Sequence, residues 1–210
     1  MSIHVIRSGI FEVNSLVVEF SPNKCFVVDP AACRFSNDQN KILDYLKKRK
    51  LDCQGILLTH CHFDHVTGIN EIKNAFPKAQ IAIHQAEFQD FQNPPGKLGL
   101  ACINFFGLDD LIDIVSKQAP AELALQEGDD YFGWKVIHTP GHTPGSICLY
   151  NQKENSLISG DTLFAYGGYG RTDMEGGNEK EIIKSLERIR REIPAGTKVY
   201  PGHEEFAFTL

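Results

Sequence analysis

Four separated segments of the chain obey one rule: a strand-like apolar run, a turn, then side chains able to hold a metal. They read LLTHCHFDH, VIHTPGHTPGS, LISGDTLF and VYPGHEE, and they supply His60, His62, Asp64, His65, His142, Asp161 and His203. Imidazoles that can all become cationic repel one another, so their crowding into the first segment needs a cause. A bound cation supplies it. Loops leaving strand ends are where distant side chains converge, so the fold must bring these four ends together. Seven candidate ligands exceed the three or four protein groups of a tetrahedral zinc and suit two ions sharing a carboxylate. His60 and His62 are two apart and face one side of an extended segment, while Asp64 and His65 are adjacent and can approach a second ion. Gly141, Gly160 and Gly202 precede His142, Asp161 and His203, as tight turns that aim a side chain require. His4, His84 and His138 are read as surface or hydrogen-bonded residues.

The spaces between these segments fix the architecture. SLVVEF and KCFVVDP, joined by SPN, predict a hairpin, and GILLTH, QIAIH, YFGWKVIH, SICLYN, NSLISG and TKVYP predict further strands. NDQNKILDYLKKRK predicts a helix capped by Asn37 or Asp38, and GINEIKNAFPK a second one. NEKEIIKSLERIRREIP predicts a third, with Ile182, Ile183, Leu186 and Ile189 on one face. NPPGKLG reads as loop, and LDDLIDIV as a helical segment. Strand groups interleaved with helices predict an α/β fold, a four-layer αββα sandwich of two mixed sheets, formed as one domain over residues 1–210.

Charge and composition exclude some partners. A net charge of -6 argues against a surface built for nucleic acid, and no apolar run reaches the length of a membrane span. Arg7, Glu12 and Asn14 interrupt the first twenty residues, so no secretory signal is read there. The six cysteines form no C-x-x-C pair and read as reduced, mostly buried thiols, Cys61 among them. A cytoplasmic protein is expected.

The H-x-H-x-D-H loop with downstream His142, Asp161 and His203 resembles the metallo-β-lactamase superfamily, from VVDP at Asp29 to PGHE at His203. The resemblance implies His60, His62 and His142 on one metal, and Asp64, His65 and His203 on a second, with Asp161 bridging. It implies that Asp29 supports the metal loop without ligating. Two divalent ions are expected, zinc first, with iron or manganese as alternatives. HTPGHTPGS, SGDTLF and GRTD are most similar to the glyoxalase II (hydroxyacylglutathione hydrolase) group, in a short branch without the helical C-terminal region. Antibiotic hydrolases of the family usually lack an aspartate at the position of Asp161.

That resemblance implies hydrolysis of a small thioester such as S-lactoylglutathione by a hydroxide held between the ions. Asp161 would act as the ionised bridge, and Asp64 as a ligand that also assists proton transfer. Arg171 matches a basic position that meets the glutathione carboxylate, or else it pairs with Asp173. Tyr166 and Tyr169, on the same Gly-rich loop, are expected to line or cover the pocket. THCHFDHVTG and GRTD also resemble persulfide dioxygenases, which would use one Fe(II) on His60, His142 and Asp161. A non-catalytic, metal-binding member of the fold is the third possibility.

Overall fold

Alternate residues along the strands divide between two apolar clusters, and that division sets the layers. The computed structural model describes residues 2–210. Strands β1 (Ser2–Ser8), β2 (Val13–Ser21), β3 (Lys24–Val28), β4 (Asp52–Leu57), β5 (Gln80–His84) and β6 (Leu123–Leu125) form one sheet in sequence order. The pairs β1–β2 and β2–β3 are antiparallel, and the pairs from β3 to β6 are parallel. The second sheet runs β7 (Asp130–Tyr131), β8 (Trp134–His138), β9 (Ile147–Asn151), β10 (Ser156–Gly160), β11 (Lys198–Pro201) and β12 (Phe208–Thr209), with β10–β11 its parallel pair. Helices α1 (Lys41–Arg49), α2 (Phe63–Val66), α3 (Ile69–Ala75), α4 (Gln85–Phe88), α5 (Gly96–Phe106) and α6 (Ile112–Val115) accompany the first sheet, and α7 (Glu179–Glu192) the second.

Leu16, Val18, Phe26 and Val28 of the first sheet meet Trp134, Val136, Leu149 and Ile158 of the second, forming the core between the sheets. The intervening residues Val17, Cys25 and Val27 turn outward onto Ile42 and Leu46 of α1 and Ile69 and Ile72 of α3. On the far side, Ile137, Cys148, Leu157 and Val199 are covered by Ile182, Leu186 and Ile189 of α7. The product is the expected αββα sandwich of two mixed sheets. Among the described residues no helix is long and apolar enough to cross a membrane.

Three local expectations are corrected. Asn40, not Asn37 or Asp38, precedes α1, and it makes no side-chain cap. Asp38 is committed elsewhere, accepting from Gly9 N at 2.8 Å and Cys33 N at 2.9 Å. Part of the stretch read as loop is helical, because Asp90, seven residues upstream, caps α5 by accepting from Lys97 N at 2.7 Å and Leu98 N at 3.0 Å. Ile183 is exposed on α7, and its place in the buried stripe falls to Ser185, whose hydroxyl donates to Pro140 O at 2.8 Å. LDDLIDIV is helical in two short turns, Asp109–Leu111 and α6.

The two sheets are sewn together at one end. Ile147 N donates to Thr59 O at 3.0 Å, and Asn14 N donates to Gly202 O at 2.7 Å. The loops after β4, β8, β10 and β11 open at this end.

Candidate metal centre

The turn after β4 delivers His60 and His62, and α2 presents Asp64 and His65 one turn later. The β8–β9 loop delivers His142, the end of β10 delivers Asp161, and the end of β11 delivers His203. Their donor atoms fall into three overlapping triads: His60–His62–His142, His60–His65–Asp161 and Asp64–His65–His203. Within each triad the atoms lie no more than 4.8 Å apart. Asp161 links the groups: its Oδ1 is 3.5 Å from His65 Nε2, and its Oδ2 is 3.5 Å from His142 Nε2 and 3.6 Å from His203 Nε2. Asp64 Oδ2 lies 3.3 Å from His203 Nε2 and 3.5 Å from His65 Nε2.

The far side of each imidazole decides which nitrogen faces inward. His142 Nδ1 donates to Arg171 O at 2.7 Å, His203 Nδ1 to Phe11 O at 3.2 Å, and His65 Nδ1 to Asp29 Oδ2 at 3.0 Å. His60 Nδ1 lies 3.1 Å from Thr59 Oγ1, which itself donates to Asp29 Oδ2 at 2.6 Å. With Nδ1 holding the proton, Nε2 carries a bare lone pair wherever the ring is neutral. Where carboxylates keep the ring charged, as at His65, a proton takes the cation's place. Yet His60 Nε2 and His142 Nε2 face each other at 3.2 Å, as do His65 Nε2 and His203 Nε2. Lone pairs aimed at one another repel unless a cation lies between them. Asp161 Oδ1 and His62 Nε2 are also buried with no hydrogen-bond partner, which is costly for groups out of water. These donors fit metal ions.

Electrostatics points the same way. Burial, reinforced by the surrounding imidazoles, holds His60 and His62 well below the ordinary histidine range, which keeps them neutral and able to ligate. Burial opposes a charge on His65 too, but Asp64, Asp161 and Asp29 outweigh it and raise the group to about 10. Burial likewise opposes charge on Asp64, while His65 and His203 hold its carboxyl well below the usual range. Three carboxylates around one imidazole form an excess of buried negative charge that cations neutralise.

Space is reserved for the cluster. A Cβ on Gly202 would stand 2.2 Å from Asp161 Oδ1, and one on Gly170 would stand 2.7 Å from His142 Nδ1. Above the centre lies a cleft of about 250 Å³ whose wall includes Phe11, Phe106, Phe164 and Met174, with Arg171 and Glu204 at its mouth. Arg171 pairs with Asp173, Nε to Oδ1 at 2.7 Å and Nη2 to Oδ2 at 2.8 Å. Tyr169, expected at the pocket, packs instead against the apolar cluster beneath α7. Tyr166 is fully exposed and donates to Glu205 Oε2 at 2.8 Å.

Some contributing residues carry no sequence signal of their own. Glu87 of α4 is wholly buried and accepts from Gly145 N at 2.8 Å, in the His142 loop. On its other side lies Cys61, whose thiol is pushed up by burial and by that carboxyl. Phe106 and Cys102 reach the cleft from α5, the helix that composition disguised. The remaining histidines stay outside the centre: His4 bonds Glu19 at 2.9 Å, and His84 stacks on His138 with ring centroids 4.0 Å apart.

Comparison with known proteins agrees with this geometry. The chain is 34% identical over 188 residues to a probable metallo-hydrolase, YqgX, of Bacillus subtilis, covering 87% of this chain and 81% of that protein. It is 30% identical over 210 residues to the hydroxyacylglutathione hydrolase of Pelagibacter ubique, covering 97% and 71%. Among solved structures, the BLEG-1 B3 metallo-beta-lactamase superposes with a TM-score of 0.85 at 29% identity, covering 99% of this chain and 94% of that one. TTHA1623 in a di-iron-bound form superposes with a TM-score of 0.79 at 28% identity, covering 96% and 92%. The sequence pattern of the metallo-beta-lactamase superfamily matches residues 8–203, and the chain belongs to that superfamily.

Proposed function

We propose that this protein is a dinuclear metal-dependent hydrolase of small thioesters, similar to glyoxalase II. One observation carries the two-ion reading: the Asp161 carboxylate reaches imidazoles of both ligand sets, His142 and His203 through Oδ2 and His65 through Oδ1, at 3.5 to 3.6 Å. His60, His62 and His142 would hold one ion and Asp64, His65 and His203 the other, with Asp161 shared. Zinc suits imidazole and carboxylate donors, and iron or manganese would also be accepted. When bound, such ions supply Lewis acidity and lower the pKa of water from 15.7 to about 7.

The chain's own groups do the rest. In hydrolysis the oxygen of water bonds to the acyl carbon, the C–S bond breaks, and carboxylate and thiol leave. Asp161, shared between the two ligand sets, fixes their spacing. Asp64, held charged beside His65 and His203, accepts a hydrogen bond from the incoming water and orients it, and the proton released goes to solvent. The aromatic wall limits the water that reaches the reacting carbon, while a thiolate, being a weak base, departs without a strong acid. The relative of Pelagibacter ubique supports the thioester class.

The single-iron dioxygenase reading uses only His60, His142 and Asp161, and leaves His62, Asp64, His65 and His203 converging without a task. Elemental analysis of the purified protein, paired with thiol release from S-lactoylglutathione, tests the proposal. Two ions per chain and turnover abolished by Asp161→Ala are expected. One iron per chain with oxygen uptake on glutathione persulfide would overturn it.

A further inference from the structure

We infer that the substrate's thiol carrier is uncharged where it crosses the mouth of the cleft, so that the enzyme favours a neutral, pantetheine-like arm over glutathione. This rests on the thioester reading above and concerns only its carrier. Arg171 stands at the position where a glutathione carboxylate would be met, and its side chain is already engaged. The side-on edge of the guanidinium, Nε and Nη2, is taken by Asp173. Because Asp173 is two residues away on the same chain, it competes at a local concentration that no free substrate matches. A substrate carboxylate would have to displace it to take that edge, exchanging one bidentate pair for another with little net gain.

The guanidinium is also held from a second direction. Its Cζ lies 4.2 Å from the ring centroid of Phe105 and 5.5 Å from that of Phe106. Arg171 is therefore a braced, charge-balanced piece of the wall whose side-on edge is occupied. No other Lys or Arg lines the cleft, and Glu204 adds a further carboxylate to the mouth. Counting Arg171 as +1, Asp173 as -1, Glu204 as -1 and Arg7, whose Nη2 donates to Glu204 O at 2.9 Å, as +1, the rim is formally neutral. Glutathione carries a carboxylate at each end and finds no net positive charge there to hold them.

The surface that remains for the carrier is apolar. Phe106 lies 5.1 Å from Phe11 and 5.3 Å from Phe105 between ring centroids, and all three rings are exposed to solvent. They form a continuous shelf leading from the ligands outward. A neutral arm gains by covering this shelf and loses nothing at Arg171.

The test places one acyl group on N-acetylcysteamine and on glutathione and measures kcat/KM for each with the metal-loaded enzyme, corrected for uncatalysed hydrolysis. The neutral thioester is expected to be favoured by about tenfold or more. Asp173→Asn, which releases the Arg171 edge, is expected to shift the ratio toward glutathione by about tenfold. Phe106→Ala is expected to shift it the same way, chiefly by raising KM for the neutral thioester. A wild-type preference for glutathione, or a ratio unmoved by Asp173→Asn, overturns the inference while leaving thioester hydrolysis intact. Hydrolysis of neither thioester by an enzyme holding both metals overturns the thioester reading, and this inference with it.

Discussion

Asp29 Oδ2 accepts from His65 Nδ1 at 3.0 Å, while the same carboxylate accepts from Thr59 N at 2.8 Å and from Thr59 Oγ1 at 2.6 Å. One buried side chain thereby orients ligands of both proposed sets: His65 directly, and His60 through the threonine hydroxyl. Asp29 holds a φ of 47°, a left-handed conformation that asparagine tolerates. Asp29→Asn should therefore keep the backbone while replacing an acceptor oxygen with a donor amide. Metal affinity is expected to fall by about 10–100-fold, as read by competition with a chelator. Wild-type affinity in this variant would mean that packing alone orients His65.

Glu87 sits between the two loops that carry His60, His62 and His142. Its Oε1 holds Gly145 N, and a Cβ on Gly145 would stand 2.7 Å from Glu87 Cγ, so the fit is close. Burial raises its pKa, against hydrogen bonds that favour the charged form, so a neutral side chain suits the place. Glu87→Gln preserves both shape and acceptor and should leave stability within about 1 kcal/mol of wild type. Glu87→Ala strands a buried N–H and opens a void, and should cost about 1–3 kcal/mol or more. Urea unfolding checks both variants, and metal content should follow the same order. Equal loss in the two variants would mean that the acceptor is not what matters.

The convergence of these donors was legible because their chemistry is written in residue type: few reasons other than a cation gather imidazoles and carboxylates at four strand ends. The layers were legible because strands two-faced in apolar residues demand two covered surfaces. What sequence missed is what distant residues decide. Helix α5 begins after two prolines and a glycine, and its start is fixed by Asp90 from outside any helical window. Tyr169 shares a Gly-rich loop with Arg171, but that loop turns its side chain toward α7. The salt bridge of Arg171 to Asp173 was one of two readings the sequence left open, and local geometry formed it. Glu87 gave no signal at all, since a glutamate in a helical stretch ordinarily faces water.

Acid should weaken the protein through His84. Burial, with His138 stacked 4.0 Å away, lowers its pKa from 6.5 to about 4, against a smaller opposing pull from Glu127 and Asp129. The folded protein thus binds a proton less readily than the unfolded chain. Stability attributable to this residue is complete above pH 6.5 and is lost as pH falls toward about 4, where the folded form also protonates. Relative to His84→Gln, the wild type should lose stability with a slope approaching one proton across that window. Urea midpoints measured at successive pH values give the difference, and parallel curves would show that His84 is not the group responsible.

Gly202 offers the sharpest probe of the centre itself. Its backbone is bound on both sides, N to Gly160 O at 2.9 Å and O to Asn14 N at 2.7 Å, and neither bond involves a side chain. Gly202→Ala should therefore leave the sheets joined. The added methyl, however, would stand 2.2 Å from Asp161 Oδ1 and 2.8 Å from His65 Cε1, both in the crowded floor of the cluster. Asp161 must swing aside, and the link between the two ligand sets goes with it. Turnover is expected to fall by about 10²-fold, since displacements of about 1 Å carry that cost. Elemental analysis should find less than the wild-type metal content, while thermal unfolding of the metal-stripped proteins stays close to that of wild type. Full metal content together with full activity would show that the Asp161 carboxylate does not hold the position on which the two-ion reading depends.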